Sequence, residues 1–277
     1  MITKGNRTEE TRVALITGAS GGIGTACVRH FLGAGWRVSA TALPGPALER
    51  LAGPDVLVVP GDVTLAEVRR DIVEQTLDRY RRIDVLVNCA GVGLYAAPTG
   101  VHLELMSQLF DLNVFAALAM AQAVIPTMRC ARSGSIVNVG SVAAFSSLPW
   151  AAAYCASKAA LHSLNDALRR ELRADHIHVM KICPGIVVTD FRSNVLGGVA
   201  PSRVANIRNV VTPDAVAAAI LNGVEDRRQT VYVPKIGRLF RLIEYVSPRL
   251  MDWYINRLAT STDSRLESEV CAAEKPR

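Results

Sequence analysis

The sequence predicts a doubly wound parallel α/β sheet with helices on both faces, and three observations point to it. Short apolar runs alternate with longer helical stretches from Val13 to Val233, without a compositional break or an internal repeat. A glycine-rich turn joins the first apolar run to the first helical stretch. The composition, 50% hydrophobic but only 5% aromatic, suits aliphatic helices on a buried parallel sheet better than a β-sandwich.

Residues up to about Thr11 are polar and read as a loose arm. Val13-Ala14-Leu15-Ile16 is a buried strand stopped by Thr17-Gly18, and Ile23 to Ala34 is a helix closed by Gly35. Arg37 to Thr41 is the second strand, Ala47 to Leu51 part of a second helix, and Val56 to Val59 the third strand. Leu65 to Arg82 follows as a helix, with Thr64 as its expected N-cap. Asp84 to Asn88 and Gly134 to Val139 are strands, flanking a long helix over 103–129. A second long helix covers 152–173 and leads to the strand His178 to Cys183, stopped by Pro184-Gly185. Residues 190–212 are small and polar with Gly197-Gly198, and read as a lid-like loop. Thr212 caps a helix over 213–223, before a last strand Thr230 to Val233. A helical extension over 235–258, split by Pro248, completes a single domain of residues 1–260, and 261–277 reads as a disordered tail.

The net charge of +6 is spread in short mixed groups, such as Arg69-Arg70-Asp71. No basic run is interleaved with aromatics, which argues against a nucleic-acid partner. The six cysteines, Cys27, Cys89, Cys130, Cys155, Cys183 and Cys271, lack metal-ligand spacing and read as reduced, mostly buried thiols. The first residues lack the apolar core of a signal peptide, and Val114 to Met128 is broken by Gln122 and Pro126, so the expected location is cytoplasmic.

The turn Thr17-Gly18-Ala19-Ser20-Gly21-Gly22-Ile23-Gly24 sits where a strand feeds a helix. Glycines there let backbone N–H groups approach a pyrophosphate, and the helix N-terminus adds partial positive charge. The same residues satisfy G-x-S-x-G, which would make Ser20 a hydrolase nucleophile. A hydrolase elbow follows several earlier strands, however, and here only a short polar arm precedes the first.

Tyr154 and Lys158 stand four residues apart on a helix and so share a face. A tyrosine hydroxyl titrates near 10 in water, and a neighbouring ammonium lowers that value towards useful acid-base chemistry. Ser141 follows the fifth strand, where ligands of doubly wound sheets gather, and could hold a substrate oxygen. Any two of these residues would pass as helix decoration or a strand end. The three together with the glycine turn point to a dehydrogenase site.

With these motifs the chain resembles the short-chain dehydrogenase/reductase family, from Thr11 to about Val233. The resemblance also covers Asn88-Cys89-Ala90-Gly91, Asn113 in Leu112-Asn113-Val114, and Pro184-Gly185-Ile186-Val187-Val188-Thr189. It implies a Rossmann-like fold and hydride transfer between a nicotinamide and a carbonyl or alcohol. Tyr154 would be the general acid/base, Lys158 would lower its pKa and bind the nicotinamide ribose, and Ser141 would polarise the substrate oxygen. Asn113 would hold a water linking Lys158 to solvent. Gly18, Ser20, Gly22, Ile23 and Gly24 would hold the pyrophosphate. Asp62 and Val63 would border the adenine, and Asn88, Ala90 and Gly91 its ribose. Pro184, Gly185, Val187 and Thr189 would hold the carboxamide end. For Asn88 and Asn113 the residues equally allow a structural role, stitching neighbouring elements. Cys89 departs from the family's usual Asn-Asn-Ala-Gly and is read as tolerated, not redox-active.

Cofactor choice is set at the end of the second strand, where a carboxylate favours NAD and a nearby arginine NADP. Ala42 and Leu43 supply neither, so the balance tips only slightly to NADP(H) and reduction. The extension 235–258 mixes apolar residues with arginines, with Leu239, Leu242, Ile243 and Val246 on one expected helix face. Three roles fit it: a cap on the cleft, a subunit interface, or peripheral membrane contact. Each hints at an apolar carbonyl or alcohol substrate, and the family resemblance implies a homodimer or homotetramer through helices 103–129 and 152–173. A catalytically idle nucleotide sensor or scaffold is the remaining alternative.

Overall fold

Parallel pairing organises the chain. The computed structural model describes residues 11–192, 194–197 and 210–259. Among them the strands are β1 (Val13–Thr17), β2 (Arg37–Ala42), β3 (Val56–Pro60), β4 (Val85–Asn88), β5 (Gly134–Val139), β6 (Ile177–Pro184) and β7 (Thr230–Val233). They form one sheet in the order β3-β2-β1-β4-β5-β6-β7, with every neighbouring pair parallel. The chain builds outward from β1 to β3, then crosses back past β1 to begin β4. The two halves therefore diverge where Ile16 pairs Val87 and Thr17 pairs Asn88, and ligands of such sheets bind above that point.

The helices are α1 (Gly22–Gly33), α2 (Pro46–Glu49), α3 (Ala66–Tyr80), α4 (Leu103–Phe110), α5 (Ala117–Ala131), α6 (Ala152–Glu171), α7 (Pro213–Glu225), α8 (Gly237–Val246) and α9 (Pro248–Ala259). All five residues of β1 are buried, as a strand covered on both faces requires. Its side chains alternate between two cores. Ala14 and Ile16 join Phe31 of α1 and Val216 and Ile220 of α7 on one face. Leu15 joins Ile72 of α3 and Met120 and Val124 of α5 on the other.

Two expected helix ends are formed by the expected residues. Gly35 takes a φ of +77° and donates its N–H to the Leu32 carbonyl, and Thr212 Oγ1 accepts from the Ala215 N–H at 3.2 Å. Thr64 does not cap α3. That helix begins at Ala66 after Leu65, while the backbone N–H and hydroxyl of Thr64 both donate to Asp62 Oδ1, at 2.9 and 2.8 Å. Asp62 competes successfully for the donors because its carboxylate closes a local turn. The expected continuous helix over 103–129 is interrupted: residues Asp111–Ala116 form a π-turn between α4 and α5. Such turns occur mainly at functional sites, and Asn113 sits in this one.

The thiols of Cys27, Cys155 and Cys183 are buried and that of Cys89 is half-buried, but Cys130 is exposed at the end of α5, where the apolar face has turned away. Residues Leu103–Ala131 are long and apolar enough to cross a bilayer by composition alone. In the fold, Met120, Ala121, Val124, Ile125 and Met128 bury that apolar face against the sheet. Of the expected lid, residues 198–209 lie outside those described. Its near end forms a short turn at Asp190–Arg192, and bridges join Gly93 to Val195 and Val187 to Val211. The expected tail 261–277 also lies outside the described residues. The extension does divide at Pro248, into α8 and α9.

Candidate active site

The site grows from the glycine turn. Gly18 has a φ of +65°, and a Cβ there would stand 2.7 Å from the Ala90 nitrogen. The turn is locked to the segment after β4 by Thr17, whose Oγ1 accepts from the N–H groups of Cys89 and Ala90, both at 3.1 Å. α1 opens at Gly22 without a side-chain cap, so its first N–H groups face the cleft unscreened. At Gly91 a Cβ would meet Asn113 Oδ1 at 3.0 Å. The result is a cradle of bare backbone, which fits the pyrophosphate of a dinucleotide.

Above it lies a cleft of about 1140 Å³ at the carboxyl ends of the strands. Its walls include Gly18, Ser20, Gly22, Ile23, Gly24, Asp62, Val63, Ala90, Gly91, Ser141, Tyr154, Lys158, Pro184, Gly185, Val187 and Thr189, all expected from the sequence. Two expected residues lie outside the lining. Asn88 is buried and donates from Nδ2 to the Ala117 carbonyl and to Asn138 Oδ1, each at 2.9 Å. Asn138 in turn donates to Asn165 Oδ1 at 3.0 Å, so β4, β5 and α6 share a ladder of amides. Asn113 is buried, too. Its amide accepts from the Val92 N–H and donates to the Val92 carbonyl and to Ser157 Oγ.

β5 delivers Ser141 to the cleft floor, and α6 delivers Tyr154 and Lys158 one turn apart. Ser141 and Tyr154 share the cleft lining, and Ser141 Oγ accepts from the Ala143 N–H at 3.1 Å. Lys158 Nζ lies 5.8 Å from the centre of the Tyr154 ring and donates to the Val139 carbonyl at 3.0 Å. Burial pushes Tyr154 above its ordinary value near 10. Ser141 works against that rise, while Tyr95 and Cys155 add to it. The resemblance implies that Lys158 lowers Tyr154, and Lys158 is not among the groups that shift it. Here Lys158 is itself pushed down, to about 8, because burial disfavours its charge. The partner that lowers Tyr154 is Ser141. Burial also pushes the Cys89 thiol up to about 12, which favours its protonated form.

Sequence reasoning missed several lining residues. Arg69, read as part of a mixed surface group, stands on the cleft wall near Ala42, Leu43 and Val63, and donates to the Val63 carbonyl at 2.8 Å. No local signal marks it, since only the packing of α3 decides which of two adjacent arginines turns inward. Leu148, Pro149 and Leu196 form an apolar wall beside Tyr154, whose ring lies 5.8 Å from that of Phe191.

A family model described as short chain dehydrogenase matches residues 12–198. The chain belongs to that family. Short-chain dehydrogenases of varied naming resemble it. Dehydrogenase/reductase SDR family member 7B of Danio rerio is 30% identical over 82% of this chain and 79% of its own. The 3-oxoacyl-[acyl-carrier-protein] reductase of a Synechocystis strain is 33% identical over 66% of this chain and 77% of its own. A crystal structure of a short-chain dehydrogenase from Streptomyces avermitilis, 29% identical, superposes over 92% of this chain and 100% of its own with a TM-score of 0.78. A Burkholderia phymatum short-chain dehydrogenase/reductase in complex with NAD shares the fold at 24% identity, over 86% of this chain and 95% of its own, with a TM-score of 0.76. This short-chain dehydrogenase is accordingly an NAD(P)-dependent oxidoreductase. That membership displaces the hydrolase reading of Ser20.

Proposed function

We propose that the chain reduces an apolar ketone with NADPH, using Tyr154 as the proton donor. The observation that carries this reading is the convergence of Ser141, Tyr154 and Lys158 on one cleft, with Tyr154 and Lys158 one helical turn apart. When bound, the nicotinamide supplies the hydride. Ser141 would orient the carbonyl oxygen, Tyr154 would protonate it, and Lys158 would hold the nicotinamide ribose and replenish the proton. Gly18, Ser20, Gly22, Ile23 and Gly24 would hold the pyrophosphate, and Asp62 and Val63 the adenine. Ala90 and Gly91 would border its ribose, with Asn88 bracing them from below. Pro184, Gly185, Val187 and Thr189 would hold the carboxamide, and Asn113 would hold a water linking Lys158 to solvent.

The preference for NADPH has two supports. Ala42 ends β2 without a carboxylate, and Arg69 lines the same end of the cleft. The apolar substrate is supported by Leu148, Pro149, Phe191 and Leu196 in the lining. None of α8 or α9 is in that lining among the described residues, which supports an interface or membrane role for the extension over a cap. We take residues 1–260 as one cytoplasmic catalytic domain, with 190–212 as its lid, acting as a homodimer or homotetramer through α4–α5 and α6. A panel of ketones and alcohols, assayed separately with NADPH and NADH, tests the reaction. Tyr154→Phe should abolish turnover on any ketone found while NADPH binding, read by fluorescence, persists. Normal turnover by that variant would refute the assignment.

A further inference from the structure

α8 has two faces with different work. Its inner face ties it to the chain that follows Ser141. The Arg241 guanidinium lies 4.9 Å over the Phe145 ring and donates to the Tyr232 hydroxyl at 3.1 Å. Glu244 accepts from Ser146 Oγ at 2.9 Å. Phe145 stacks in turn on His162 of α6, with ring centres 5.0 Å apart. The segment held this way includes Val142, Ala143 and Leu148, which line the cleft.

The outer face is apolar and, among the described residues, uncovered. Leu239, Leu242 and Val246 follow helical spacing, and Val246 is 70% exposed with Tyr245 beside it at 87%. α9 repeats the pattern with Leu250, Trp253 and Tyr254, and Trp253 is 58% exposed. Exposed cations flank both stripes: Lys235, Arg238, Arg249 and Arg257. Over 235–257 the only acids are Glu244, bonded to Ser146, and Asp252. Such faces on consecutive helices, with tryptophan and tyrosine at the edge and cations around them, match the chemistry of a bilayer's headgroup boundary. A second copy fits less well. In a two-fold contact through these faces the flanking cations of both copies would share one interface, with Asp252 the one acid on α8 and α9 that no described bond engages.

We infer that the outer faces of α8 and α9 seat this protein on an anionic lipid surface, with both helices lying in its plane. The inner face of α8 then fixes the orientation: the wall of the cleft carrying Val142 and Leu148 is bonded to the docking element. That an apolar substrate thereby reaches the cleft from the membrane rests on the reductase reading. The docking itself does not.

The test is co-sedimentation of the full chain with vesicles of phosphatidylcholine alone and of equal parts phosphatidylcholine and phosphatidylserine. Binding is expected to the anionic vesicles only, and to fall as salt is raised. Arg238→Gln with Arg249→Gln removes two cations and should weaken binding roughly thirtyfold. Leu242→Glu with Trp253→Glu should weaken it at least as much. Both double variants should melt as the parent does and turn over a water-soluble ketone at the parent's rate. Absence of binding to either vesicle, or binding that both variants retain, would overturn the inference. So would a dimer in sedimentation velocity that Leu242→Glu dissolves. Vesicle binding by a protein that reduces no ketone would leave the docking standing and remove the reductase reading instead.

Discussion

Lys158 aims its Nζ at the carbonyl oxygen of Val139, 3.0 Å away, from a position buried between α6 and β5. One carbonyl does not replace the water that a free ammonium commands, and burial brings the folded value down to about 8 from 10.5. Between those two values the unfolded chain holds the proton and the folded one releases it. Stability from this group therefore rises with pH through that window, and below about 8 the buried charge is a standing cost. Lys158→Met should be more stable than the parent near neutrality by on the order of 2 kcal/mol. Urea denaturation should show that advantage fading as pH climbs towards 10.5, while turnover falls at least about a hundredfold. A variant less stable than the parent at neutral pH would contradict this account.

Tyr154 carries a pH signature of its own. Burial holds its phenol above 10, so the free protein presents the protonated form that ketone reduction needs. Reduction should keep a level kcat/KM from about pH 6 to 8, whereas alcohol oxidation, which needs the deprotonated form, should climb roughly tenfold per unit. Oxidation that slows as pH rises would tell against Tyr154 as the titrating group.

The amide ladder is a stability element. Asn138→Leu breaks both of its links, leaving Asn88 Nδ2 with the Ala117 carbonyl alone and stripping the buried Asn165 Oδ1 of its Asn138 donor. A loss of about 2–4 kcal/mol is expected by chemical denaturation, because unpaired buried amides cost more than the bonds themselves contribute. A loss below about 0.5 kcal/mol would mean that the ladder is incidental.

Gly140 and His162 form a tight pair beneath Ser141. A Cβ on Gly140 would fall on the imidazole, which burial, then Lys181 and Lys158, push down to about 3 and so keep neutral. Gly140→Ala should cost about 1–3 kcal/mol through overpacking and slow turnover by displacing Ser141. Adding His162→Ala should restore part of both. Strict additivity in that cycle would show that the two residues do not interact.

Arg69→Glu tests cofactor choice. It places a carboxylate where Arg69 now lines the Ala42 end of the cleft. The ratio of kcat/KM with NADPH to that with NADH should fall by about tenfold to a hundredfold. An unchanged ratio would remove Arg69 from the account of specificity.

The strands and the glycine turn were legible because their causes are local. A parallel strand buried on both faces, such as Val13–Thr17, must be an unbroken apolar run, and the turn at Gly18 tolerates no side chain. What stayed hidden depends on contacts between distant segments. Asp62 outcompetes the helix for Thr64 by a local turn that a capping rule overlooks. Whether Arg69 or Arg70 faces the cleft is decided by how α3 lies on the sheet. The sequence showed the chemistry of Arg241 and Glu244, but not that they grip Phe145 and Ser146, nearly a hundred residues earlier. The mutual arrangement of Tyr154 and Lys158 was foreseen, and their titration was not, because desolvation outweighs the attraction between neighbours.

The π-turn at Asp111–Ala116 fits one residue more into its coil than a regular helix would hold. If the same residues instead wound as a regular α-helix, α4 and α5 would merge into one straight rod, and everything before the turn would swing by about 100° about its axis and advance by about 1.5 Å. Gln108, which faces the cleft, would be carried off it, and Leu109 would leave its berth beside Val92 and Leu94. The wider coil thus acts as a phase correction, allowing one stretch of chain to satisfy the sheet at its far end and the ligand cleft at its near end.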